Sequence, residues 1–153
     1  MSEKCNKCER EIKEDEFRMN RKETTFLPVT VMYVEAKGGL SGVGKAWSEL
    51  ESNLPSLKGR KMYGAYYDQD QDKVYRACVV IINDEEPKEL GLPTWTIPGG
   101  KFAREKIENF ASRVEIIGET FESMERECKR DSKRWYIEFY RSQNEVILLL
   151  PIL

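Results

Sequence analysis

The spacing of apolar positions changes along the chain, and the changes mark out its elements. Residues 26–35 (Phe-Leu-Pro-Val-Thr-Val-Met-Tyr-Val-Glu) are β-branched and aromatic and predict a strand. Gly38, Gly39 and Gly42 predict a loop. Val43, Ala46, Trp47, Leu50 and Leu54 then recur at helical spacing, and Pro55 marks the end of that helix. Residues 61–67 predict a strand, 68–72 an acidic turn, and 74–82 a nearly continuous apolar strand covered on both faces. A polar, proline-containing linker over 83–93 follows. The second half runs through the same order: a short strand at 94–97, a turn at Pro98-Gly99-Gly100, and a strand at 101–108. Val114, Ile117, Phe121, Met124 and Cys128 form one helical stripe over 114–128. A strand at 134–140, a turn at Ser142-Gln143-Asn144 and an apolar strand at 145–152 close the chain.

The halves match in residues as well as in order. Ala46-Trp47-Ser48-Glu49-Leu50-Glu51 resembles Thr120-Phe121-Glu122-Ser123-Met124-Glu125. Trp47 precedes Tyr63 by 16 positions and Phe121 precedes Tyr136 by 15. Units this small do not each bury a sheet face alone. The predicted class is therefore α+β: two pseudo-symmetric β-α-β-β repeats, 26–82 and 94–153, forming one antiparallel sheet. Two helices flank a ligand groove over it. The domain is read as 25–153, after a polar extension over 1–24.

Composition narrows the function classes. With 153 residues, 40% hydrophobic and 34% charged, the chain reads as a globular protein of one domain or two small fused units. No run approaches the roughly 18 apolar residues of a membrane span, and the N-terminus lacks a signal-peptide core. The expectation is a cytoplasmic protein with no membrane partner. A net charge of −2 leaves no basic footprint for direct nucleic-acid binding. Lys129, Arg130, Lys133 and Arg134 do cluster, but they follow Glu119, Glu122, Glu125 and Glu127 and read as a helix C-terminus complementing its dipole. There is no histidine, so acid–base chemistry would fall to a carboxylate, lysine, tyrosine or cysteine. No cofactor is implied. Cys5 and Cys8 form a Cys-x-x-Cys pair, either half a zinc site or a reduced pair on a tail. Cys78 and Cys128 read as small core hydrophobes. The aspartates of 68–72 lack the glycine and distant glutamate of a calcium loop and read as a solvated hairpin tip.

One residue breaks the pattern in a way that carries chemistry. Trp135-Tyr136-Ile137-Glu138-Phe139-Tyr140 is apolar and aromatic except for Glu138, and its partner stretch Met62-Tyr63-Gly64-Ala65-Tyr66-Tyr67 has Ala65 at the matching place. Alternation puts Tyr136, Glu138 and Tyr140 on one face. That face is either an ordinary solvated one or a pocket floor where a ligand offsets a buried charge. Ala65 would leave room beside the carboxylate. In the helices, Leu50, Val43, Ile117 and Phe121 read as core, with Trp47 and Met124 as groove candidates.

Six motifs in order carry a family resemblance over about 26–153. They are Tyr33 to Gly39, Ala46-Trp47 with Leu50, Gly64-Ala65-Tyr66-Tyr67-Asp68, Ile97-Pro98-Gly99-Gly100-Lys101-Phe102, Tyr136-Ile137-Glu138-Phe139-Tyr140, and Leu150-Pro151-Ile152. The chain resembles the GyrI-like small-molecule-binding superfamily. The resemblance implies a duplicated β-α-β-β fold with a bulky aromatic or cationic ligand held between the helices. It also implies a glutamate, at Glu138, in the pocket floor. Tyr67, Trp47, Trp95, Tyr136 and Tyr140 are candidate walls by placement. Two departures stand out. The segment before the domain is too short for a helix-turn-helix, so a stand-alone binding protein is expected. Asn109-Phe110-Ala111-Ser112 replaces a glycine-proline loop, so the groove rim should differ there. The superfamily also suggests a hydrolase, with Glu138 activating water and Tyr67 or Tyr140 as acid, and a protein-binding inhibitor of the gyrase-inhibitor type.

Overall fold

The computed structural model describes residues 22–69 and 72–153. Cys5 and Cys8, with both readings attached to them, lie outside the described residues. In chain order the elements are β1 (Lys22–Phe26), β2 (Val29–Glu35), α1 (Val43–Asn53), β3 (Met62–Gln69), β4 (Asp72–Val80), α2 (Glu85–Leu90), β5 (Thr94–Ile97), β6 (Gly100–Glu108), α3 (Ile116–Glu127), β7 (Tyr136–Tyr140) and β8 (Glu145–Pro151).

Eight strands form one curled antiparallel sheet in the order β1-β6-β8-β7-β3-β4-β2-β5. The duplication is visible in that order. β3 and β7 meet at the centre, each beside its own hairpin partner, and the repeats exchange edge strands: β1 pairs with β6 and β5 with β2. The run 26–35 is thus two strands rather than one. Pro28 has no N–H to give a ladder, Leu27 turns out to solvent, and the chain changes neighbours between them. β1 also begins at Lys22, so the end of the segment read as an extension belongs to the sheet.

The linker holds α2, which the polar composition concealed. The Asn83 side chain accepts the Glu85 and Glu86 backbone N–H groups at 3.0 and 2.9 Å and starts the helix. Arg60 ties α2 to the sheet, donating to both Glu86 carboxylate oxygens at 2.8 and 2.9 Å and to the Val80 carbonyl at 2.9 Å. That fork holds the Glu86 carboxyl below the usual carboxylate range.

Both sheet faces are apolar, for different reasons. On one, α1 and α3 cover Met32, Val34, Ala77 and Val79 and, beyond the centre, Val146, Leu148 and Leu150. Leu50 is core as expected. Met124, a groove candidate by sequence, is fully buried core instead. On the other face the curled sheet packs Tyr63, Phe102, Ile137 and Phe139 against one another, with Phe26 edge-on to Tyr63 and Phe102. Cys78 lies in this layer, where burial pushes its thiol far up. The basic cluster after α3 fastens the C-terminus more than it caps a helix: Arg134 donates to the Lys101 and Ile152 carbonyls at 2.7 and 2.8 Å. Among the described residues, no helix is long and apolar enough to cross a membrane.

Candidate ligand groove

Two helices crossing the same sheet face leave a trough wherever the strands beneath carry small side chains. One cross-strand row runs Leu148, Glu138, Gly64, Ala77, Val34 through β8, β7, β3, β4 and β2. Glycine at its middle leaves the room that Tyr75 Oη and Glu138 Oε1 occupy. A groove of about 590 Å³ lies between α1 and α3. Tyr66, Tyr75, Tyr136, Glu138 and Tyr140 form its floor. Val43 and Trp47 line one wall, and Ile117 and Phe121 the other. Leu40 and Val114, exposed at 52% and 63%, also line it.

Glu138 is 8% exposed and fully engaged at one oxygen. Tyr75 Oη donates to Oε1 at 2.9 Å and Tyr140 Oη donates to the same atom at 2.7 Å. Among the described residues, no hydrogen bond reaches Oε2. Trp47 Nε1 donates to Tyr75 Oη at 3.0 Å, and its ring meets Tyr140 edge-on at 5.4 Å. A single side chain of α1 therefore fixes both tyrosines. Burial raises the Glu138 carboxyl above its ordinary range, and the Tyr140 and Tyr75 hydrogen bonds partly offset the rise. Burial and the Glu138 charge push both phenols upward, so they stay protonated donors. Trp47→Phe keeps an aromatic ring but removes the indole N–H. It is expected to cost about 1 kcal/mol in chemical denaturation.

Charge in the groove is one-sided. Asp68, Glu122, Glu125 and Glu138 line it, and no lysine or arginine is among its described lining residues. Arg130 stands behind: it pairs with Glu125 at 3.1 Å and lies 4.4 Å over the Tyr136 ring, whose hydroxyl also donates to Glu125.

The predicted site residues divide cleanly. Glu138, Tyr136, Tyr140 and Trp47 meet in the groove. Tyr67 and Trp95 do not; they belong to the opposite face. Tyr67 follows Tyr66 by one position, so pleating turns it away. Trp95 pairs with Val31, which faces the opposite layer. There Tyr33, Trp95 and Trp135 surround the Arg76 guanidinium at 4.4, 4.7 and 5.0 Å, and Tyr67 packs on Trp135. This aromatic cage holds the protein's own cation. It also removes Tyr67 as an acid for Glu138. The small residue beside the carboxylate is Gly64, not Ala65, which sits in the opposite core. Tyr75 was hidden inside an apolar strand. Only the β3–β4 register, with Tyr66 opposite Tyr75, turns it toward Glu138. Val43, Ile117 and Phe121, read as core, border the groove as well. At the loop expected to alter the rim, Asn109 takes a left-handed φ of 58° and Phe110 swings in, 5.6 Å from Tyr140.

A duplicated sheet with two helices framing a carboxylate-floored groove defines a class of α+β domain. The chain has the GyrI-like fold, and solved structures share it. An integron cassette protein from the mobile metagenome of Vibrio cholerae superposes with a TM-score of 0.68 at 17% identity, covering 86% of this chain and 95% of its own. The EcmrR C-terminal domain gives 0.61 at 11% identity, covering 86% and 96%. SAV2435 bound to tetraphenylphosphonium gives 0.59 at 9% identity, covering 87% and 93%. No protein-family model matches the sequence, and no curated protein is significantly similar to it.

Proposed function

We propose that this domain binds bulky aromatic cations in the groove between α1 and α3, with Glu138 as charge partner. The observation that carries the reading is a buried carboxylate, open at Oε2, beneath aromatic rings in a groove with no basic residue among its described lining residues. A desolvated cation over such rings gains about 0.5–2 kcal/mol per contact, and the carboxylate recovers part of its desolvation cost. The tetraphenylphosphonium held by SAV2435, a protein of the same fold, supports the ligand class. Thermal shift against aromatic cations and neutral analogues tests it: stabilisation by the cations alone is expected, and equal stabilisation by the neutral compounds would refute it.

The pH dependence has a definite sign. Protonating Glu138 removes the charge partner, so affinity falls as pH drops through its raised pKa. A bound cation lowers that pKa again, so binding in this range releases protons. Calorimetry in buffers of different ionisation enthalpy measures the release.

A hydrolytic reading draws on the same geometry. A carboxylate with a raised pKa and an open oxygen can take a proton from water, with Tyr140 as donor. Turnover of an electrophilic aromatic substrate, lost in Glu138→Gln without loss of affinity, would favour it.

A further inference from the structure

A second cavity, of about 580 Å³, adjoins the groove. Trp47, Phe110 and Tyr140 line both, so the two share an aromatic wall. Beyond that wall the chemistry reverses. The annexe presents Arg60, Arg141, Ser142 and Gln143, with Leu57 as an exposed apolar edge and, among the described residues, Glu51 as its one carboxylate.

We infer that the annexe is a subsite for the far end of the ligand, and that it takes an anionic or strongly hydrogen-bonding tail. The ligand class becomes an aromatic cation whose chain ends in a carboxylate or similar acceptor. This rests on the cation reading of the groove and extends it. Arg60 is already committed to Glu86, and its side chain is only 10% exposed. Arg141 is the available partner. Its side chain is 53% exposed, its Nε stands 3.6 Å from Glu145, and Glu145 also meets Lys106 at 3.4 Å. Turning Arg141 toward the annexe therefore leaves Glu145 with a cation. The Ser142 hydroxyl accepts from the Asn144 N–H at 3.2 Å and keeps its own proton to donate. The tail's route is the ring wall. Phe110 and Trp47, which border both cavities, are half-buried.

Butyltriphenylphosphonium and (4-carboxybutyl)triphenylphosphonium share a head and differ in the tail's end. Titration calorimetry of both, on wild type, Arg141→Gln and Arg141→Lys, tests the subsite. In wild type the carboxylated compound is expected to bind at least as tightly as the butyl one. Arg141→Gln should weaken it about fivefold, the size of a partly exposed ion pair, and leave the butyl compound unchanged. Arg141→Lys should restore most of the loss. If the butyl compound binds and the carboxylated one is weaker regardless of residue 141, the subsite is refuted and the groove reading stands. If neither binds to wild type, the groove reading itself fails.

Discussion

Glu138→Gln is expected to raise the melting temperature of the ligand-free protein and to weaken its binding of aromatic cations about 10- to 100-fold. The two effects share one cause. Glu138 is buried among rings, and its folded-state pKa is raised. Between the unfolded and the raised folded pKa, the native state holds more protons, so stability falls as pH rises through that window. Above that window the ionised carboxylate is therefore a cost to the folded state. Glutamine keeps an acceptor for Tyr75 and Tyr140 and sheds the charge. The gain should vanish below the window, where Glu138 is protonated too. Thermal melts at several pH values measure it. A Glu138→Gln protein less stable than wild type above that window would mean that the carboxylate is a structural anchor.

Gly64→Ala is expected to destabilise the fold by about 1–3 kcal/mol, the usual range for overpacking. At this chain length each kcal/mol is roughly 2–4 °C in Tm. A Cβ on Gly64 would fall within 3.0 Å of both Tyr75 Oη and Glu138 Oε1. Neither neighbour yields easily. Tyr75 ends a rigid ring that also accepts from Trp47, and Glu138 is held by two phenols. Relief comes only by parting the Tyr75–Glu138 hydrogen bond, so cation affinity should fall with stability. A stable Gly64→Ala variant with unchanged affinity would show that the contact around Glu138 is slack.

What could be read from the sequence follows from how each feature is encoded. The helices, the central strands and the duplication were legible because periodicity and repeated residue order are local. Glu138 was legible because a carboxylate inside Tyr-Ile-Glu-Phe-Tyr contradicts its neighbours. The exchange of β1 and β5 was not, since Pro28 only permits the break and the pairing partner decides it. Tyr67 and Trp95, candidate walls by placement, lie on the opposite face for a related reason. Aromatic character marks burial but not side, and the side follows from register with distant strands. Tyr75 and Gly64, which shape the carboxylate's surroundings, are visible only once β3, β4 and β7 are aligned. The annexe needs the whole fold, because 57–62 and 140–143 meet only through the β3–β7 pairing.

Tetraphenylphosphonium and tetraphenylborate have nearly the same shape and opposite charge. Calorimetric titration of wild type with each, at neutral pH, isolates the contribution of charge from that of apolar contact. Binding of the phosphonium with no measurable binding of the borate is the result expected of a groove floored by Glu138. Equal affinity for the two ions, or preference for the borate, would contradict it.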